Sequence, residues 1–151
     1  MSKISFLLDD IASKIEHKDK INVSISKSNI GWHLDHSLKV INSVITVLQK
    51  SETNYKWDFN LKRTYFFIRK SIPRGKAKAP KTVQSFEEIT TTAIERQLKT
   101  AYFLIKELDT MDKKTNFIHP FIGRLHLKQA VLFIEIHTQH HLKIINDILK
   151  K

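Results

Sequence analysis

Only three glycines and three prolines interrupt this chain, and between them apolar residues recur at three- and four-residue intervals. A helix that buries one face requires that spacing, and glycine and proline are the residues that would break it. The expectation is an all-α fold. The clearest stretch is 30–50, where Leu34, Val40, Ile41, Val44, Ile45, Val47 and Leu48 share one face while Lys39, Asn42, Thr46 and Gln49 take the solvent side. Ser28 or Asn29 is its natural N-cap, because a short polar side chain there can accept from the unpaired N–H groups of the first turn.

The same periodicity predicts three more long helices. One covers 2–18, with Ile4, Leu7, Leu8, Ile11 and Ile15 inward. Another starts after a cap at Ser85, where Glu88 completes a capping box, and runs to about Leu108 with Ile89, Ala93, Leu98, Ala101, Leu104 and Ile105 inward. The last covers 126–149. Residues 22–29 alternate Val23 and Ile25 with serine and asparagine and read as an ordered loop. A loop holding Trp57, a shorter helix over 60–70 and a basic connection over 71–81 separate the second long helix from the third. Residues 117–123 read as an apolar loop folded over one end. Four long helices with one long crossover give a four-helix bundle, a single domain over 1–151, and a chain of this length can bury a real core.

With 41% hydrophobic and 27% charged residues the composition is globular, and no apolar run approaches the roughly 18 residues of a membrane helix. No membrane partner is expected. The first fifteen or so residues carry Asp9 and Asp10 and lack the basic start and cleavage site of a secretory signal, so the expected compartment is the cytoplasm. Cysteine is absent, which excludes disulfides, thiolate metal sites and a cysteine nucleophile. Any metal here takes nitrogen and oxygen ligands.

In the last helix Leu127, Ala130, Val131, Ile134, His137, His141, Ile144, Ile145 and Ile148 fall on one face, which places two histidines inside the core stripe. Their i, i+4 spacing brings both imidazoles to the same side of consecutive turns, close enough to share an ion. His140 falls near the edge of the stripe, and Glu135 points away. A third ligand has to come from another helix, and the second offers His33 and His36. Three neutral imidazoles leave a divalent ion its full charge and an open position for water, the pattern of a catalytic rather than a closed site. The plainer alternative is a set of core histidines with local hydrogen bonds.

The segment Asn29-Ile30-Gly31-Trp32-His33-Leu34-Asp35-His36-Ser37-Leu38, with Phe133-Ile134-Glu135-Ile136-His137-Thr138-Gln139-His140-His141-Leu142 and the approach His119-Pro120-Phe121-Ile122-Gly123, resembles the DinB-like (YfiT-like) metal-binding four-helix bundles. The resemblance implies His36 as the ligand from the second helix and His137 and His141 as the pair from the last; His33, slightly nearer the centre of the second helix's apolar stripe, is the reserve ligand. It implies a divalent ion, nickel or zinc. It further implies a metal-dependent hydrolase or thiol transferase of unstated substrate, with metal-activated water or thiolate attacking an electrophile. No general base stands out; Asp35 is placed to orient a ligand.

The net charge is +11, and from Lys62 to Lys81 there are eight basic residues and no acid, interleaved with Tyr65, Phe66 and Phe67. A non-catalytic basic module that binds nucleic acid or other anions is therefore the alternative reading. Nucleic acid is disfavoured within it, because no recognised binding motif accompanies the charge. Arg69 and Arg74 are candidates to hold the carboxylates of a small substrate near the bundle mouth. Leu132 and Ile136 project from the polar side of the last helix, a candidate surface for a homodimer. There is no Gly-rich phosphate loop, no serine elbow and no H-E-x-x-H, and the last helix lacks the Glu-x-x-His repeat of a di-iron bundle.

Overall fold

The computed structural model describes residues 3–74 and 88–150. Five α-helices and one small hairpin account for the regular structure among them: α1 (Lys3–Ala12), α2 (Ile30–Lys50), α3 (Leu61–Arg69), α4 (Thr91–Glu107), β1 (Asn116–His119), β2 (Gly123–His126) and α5 (Leu127–Leu149). The principal packings set α1 and α2 each against both α4 and α5, so four helices enclose one core and α3 stands outside it. Ile4, Leu8, Ile11, Ile30, Leu34, Leu38, Ile41, Ile45, Ile94, Leu125 and Ile134 are fully buried there.

α2 has the bounds its periodicity predicts. Asn29 caps it, its side chain accepting from Trp32 N–H at 2.9 Å. Val47 is the exception on its face and lies exposed. The first helix is shorter than expected. The chain tightens after Ala12, where Lys14 N–H reaches back to the Ile11 carbonyl, and a separate 3₁₀ turn covers Ile15–His17. Gly31 answers a steric need: its N–H donates to the Lys18 carbonyl at 2.7 Å, and a Cβ added there would lie 3.1 Å from the same oxygen. The glycine thus lets the start of α2 press against that turn.

α4 begins later than expected, with Thr90 as its cap through a bond from Ala93 N–H at 3.1 Å; Ser85 lies outside the described residues. Ile94, rather than Ala93, is the buried residue of its first turns. On α5, Ile136 is buried within the chain and Leu132 is partly buried.

The stretch read as an apolar loop is instead an antiparallel hairpin, with Phe117 opposite Leu125 and His119 opposite Gly123. His119 closes its turn, Nδ1 accepting from the N–H groups of Phe121 (3.1 Å) and Ile122 (3.4 Å). Gly123 has φ 75°, and a Cβ there would meet the Asn60 amide at 2.8 Å. Asn116 ties the hairpin to the end of α2: its N–H donates to Ser51 Oγ (3.2 Å), and its side-chain amide donates to the Glu52 carbonyl (3.1 Å). The hairpin also sets the start of α5, because His126 ends β2 and forms a capping box with Gln129.

Candidate metal centre

α2 and α5 pack face to face, and the histidines of both helices meet in that seam. The structure brings His36, His137 and His141 together, one ligand nitrogen from each lying within 4.8 Å of the others. Ring centroids are 5.0 Å apart for His36 and His137, 4.9 Å for His36 and His141, and 4.7 Å for His137 and His141. In a tetrahedral site with metal–nitrogen bonds of about 2.0–2.1 Å the nitrogens stand about 3.3 Å apart, so closing of the rings would let the three nitrogens fill three of the four positions.

Burial decides the charge of these groups. It pushes the pKa of His141 and His137 well below the ordinary imidazole range, and the neighbouring histidines lower it further. His33 is pushed down to about 4, first by burial and then by His36, His140 and Arg74. Burial thus favours the neutral form of His33, His137 and His141, the form in which imidazole donates to a metal. Nδ1 of His137 is buried without a hydrogen-bond partner. Leaving such a nitrogen unsatisfied costs roughly 1–3 kcal/mol, and an all-imidazole donor set is one that a divalent transition metal ion can use.

Other side chains hold the rings in place. Trp32 stacks on His36 at 4.9 Å with planes 10° apart and stands edge-on to His33 at 5.1 Å. Phe133 lies against His137 (5.7 Å) and against His119 of the hairpin (4.6 Å), so the hairpin supports the rings from below. Asp35 is buried and engaged by Gln97 (2.6 Å) and Lys39 (2.9 Å). Glu135, expected to face away, pairs with Lys3 at 3.3 Å.

His33 is buried, and both its nitrogens have partners: Nδ1 shares a bond with His141 Nδ1 at 2.9 Å, and Nε2 with Ser26 Oγ at 2.9 Å. The reserve candidate ligand thus stands against His141, with neither nitrogen free. Of the two candidate anion-binding residues, Arg74 bonds Asp147 on α5 at 2.7 Å, and its charge reaches His33 and His140. Arg69 turns back onto its own helix, to Tyr65 Oη (2.8 Å) and Ser71 Oγ (3.1 Å). Sequence reasoning missed Ser26 and Trp32. The tryptophan was legible in principle, one turn ahead of His36; for the serine, in the loop before α2, no periodicity pointed to His33.

A cleft of about 300 Å³ lies elsewhere, between the Trp57 loop and α3, lined by Trp57, Phe59, Arg63, Phe67, Ile68 and Gln129 among others, with no histidine in its wall. Among the described residues no helix is long and apolar enough to cross a membrane. No model of a known protein family, no curated protein and no solved structure matches the chain.

Proposed function

We propose that this chain is a DinB-like bundle that holds one divalent ion, nickel or zinc, on His36, His137 and His141, and that it works as a metal-dependent hydrolase or thiol transferase. The observation that carries this reading is the convergence of three imidazoles from two helices within 4.8 Å. When bound, the ion supplies Lewis acidity to water or a thiol. The chain's own residues do the rest. Trp32 and Phe133 fix the planes of His36 and His137. The ligand set contains no carboxylate, so the ion's charge stays uncompensated by the protein. Arg74, anchored by Asp147, adds a further positive charge near His33 and His140. The site accordingly favours a substrate that carries or develops negative charge.

Elemental analysis of the untagged protein, dialysed against a weak chelator, tests the reading beside the His137→Ala, His141→Ala double variant. About one equivalent of zinc or nickel, absent from the variant, supports it and justifies screening thiol-transfer and hydrolytic substrates. No metal in either protein after incubation with both ions sinks it. The alternative, a basic anion-binding module, then moves forward, because Trp57, Phe59 and Tyr65 stand exposed beside Lys62 and Arg69.

A further inference from the structure

We infer that Ser26, His33 and His141 form a hydrogen-bonded relay that selects Nε2 of His141 as the metal-binding nitrogen and makes His33 a positioning residue. The inference rests on the metal reading for its consequence, though the relay itself is a property of the protein without metal. Two imidazole nitrogens 2.9 Å apart share a single proton, so one of His33 Nδ1 and His141 Nδ1 is an N–H and the other a lone pair. The second nitrogen of His33 stands 2.9 Å from Ser26 Oγ, which also accepts from Ser28 N–H at 3.1 Å.

With both rings neutral, the chain of bonds has two polarities. In the first, the Ser26 hydroxyl donates to His33 Nε2, His33 Nδ1–H donates to His141 Nδ1, and His141 carries its proton on Nε2. In the second, His141 Nδ1–H donates to His33 Nδ1, His33 Nε2–H donates to Ser26 Oγ, and His141 Nε2 holds a lone pair. The two states contain the same number of protons: each imidazole has moved one proton between its own nitrogens, and the serine hydroxyl has turned away from His33. Only the second leaves His141 able to ligate, because its Nδ1 is blocked by His33 in both. An outer partner of this kind fixes the tautomer of a ligating histidine and raises its basicity.

A consequence follows for the loop at 22–29. In the loaded polarity Ser26 Oγ accepts from both Ser28 N–H and His33 Nε2–H, so its own proton turns to another acceptor. Occupancy of the metal site is thereby felt in the loop that leads into α2. The loop is otherwise tied within itself, Ile25 N–H to the Asn22 carbonyl at 2.9 Å and Ser24 N–H to Asn22 Oδ1 at 3.1 Å.

The test is long-range ¹H–¹⁵N spectroscopy of the histidine rings, with zinc as the probe, on wild type, His33→Gln, His33→Leu and Ser26→Ala. In the metal-free protein the relay demands opposite tautomers for His33 and His141; both rings protonated on Nδ1, or both on Nε2, overturns it whether or not metal binds. With zinc, His141 is expected to bind through Nε2 and keep Nδ1–H, and His33 to show Nε2–H and no metal shift. A metal shift on His33, or ligation through His141 Nδ1, also overturns it. His33→Leu removes the acceptor and should weaken zinc binding by about 10- to 100-fold, whereas His33→Gln, whose amide oxygen can accept from His141, should recover most of that loss. Ser26→Ala should blur the tautomer of His33 and weaken zinc binding less than His33→Leu does. Equal affinities across the three variants overturn the relay. A wild type with the paired tautomers that binds no zinc would instead fault the metal reading alone.

Discussion

The seam between α2 and α5 and the outer surface of α3 break the usual division of residues in opposite ways. The seam buries imidazoles: His33, His36 and His141 are at most 7% exposed, in walls made of Leu34, Ile134 and Ile145. α3 does the reverse, leaving Leu61 71%, Tyr65 59% and Ile68 77% exposed beside Trp57 and Phe59. The energetic weights of the two departures differ. An exposed leucine costs a protein little, and apolar atoms cover much of any surface. A buried polar atom without a partner costs roughly 1–3 kcal/mol; the seam meets that cost at His33, bonded to His141 and Ser26, and leaves it standing at Nδ1 of His137. α3 instead hangs on few anchors. Arg63 reaches the Arg124 carbonyl at 2.7 Å and the Asp58 carboxylate at 3.0 Å, and Phe66 and Phe67 pack inward.

If the seam is a metal site, the largest effect will come from loading it. Zinc at about a thousand times its Kd should stabilise the fold by about 4 kcal/mol, read as a rise in the urea midpoint, and should leave the His137→Ala, His141→Ala variant unmoved. An equal rise in both would place the ion elsewhere. Next in size is the packing around the rings: Leu34→Ala, at a fully buried position on α2, should cost about 2–5 kcal/mol in equilibrium unfolding.

Acid sharpens the comparison further. His33 and His119 are both held down to about 4, chiefly by burial, against an ordinary 6.5. The unfolded chain therefore takes up these protons first as the pH falls. The stability associated with the neutral rings is complete above about pH 6.5 and is lost progressively towards pH 4. The expected loss is on the order of 3 kcal/mol for His33 and less for His119, which is partly exposed. Urea midpoints at pH 7.5, 5.5 and 4.5 check this, and a flat profile contradicts it. A smaller change runs the other way. Thr138 Oγ1 is buried with no partner, so Thr138→Val should stabilise the protein by about 1 kcal/mol in thermal unfolding. Least of all, Ile68→Ala on α3 should stay within about 0.5 kcal/mol. A loss as large as that of Leu34→Ala would show that another surface covers α3 and would break the contrast.

Much of the fold was legible because periodicity is a local property. α2 runs from its Asn29 cap to Lys50 as its apolar spacing predicts, and α5 begins next to His126. The hairpin was not legible: its strands are four residues each, too short for alternation to register, and Pro120 and Gly123 read equally well as loop. Nor was the start of α4, since Ser85 and Thr90 carry the same capping chemistry and only the path of the chain selects between them. Of the site, His36, His137 and His141 could be named from helical spacing and a family resemblance. The place of His33 could not, because it lies one turn before His36 and by spacing alone is as good a ligand.

The amino-acid order by itself determined which segments of the chain become long helices, which of them carry histidines and that His137 and His141 fall on an inward face, since i, i+3 and i, i+4 relations are settled within one helix. Tertiary structure alone decided which nitrogen meets which. His33 faces His141 across 108 positions of sequence, and Ser26 reaches His33 from a loop. A hydrogen bond of 2.9 Å depends on the approach of two helices and the rotation of two rings, neither of which is encoded in spacing along one chain segment.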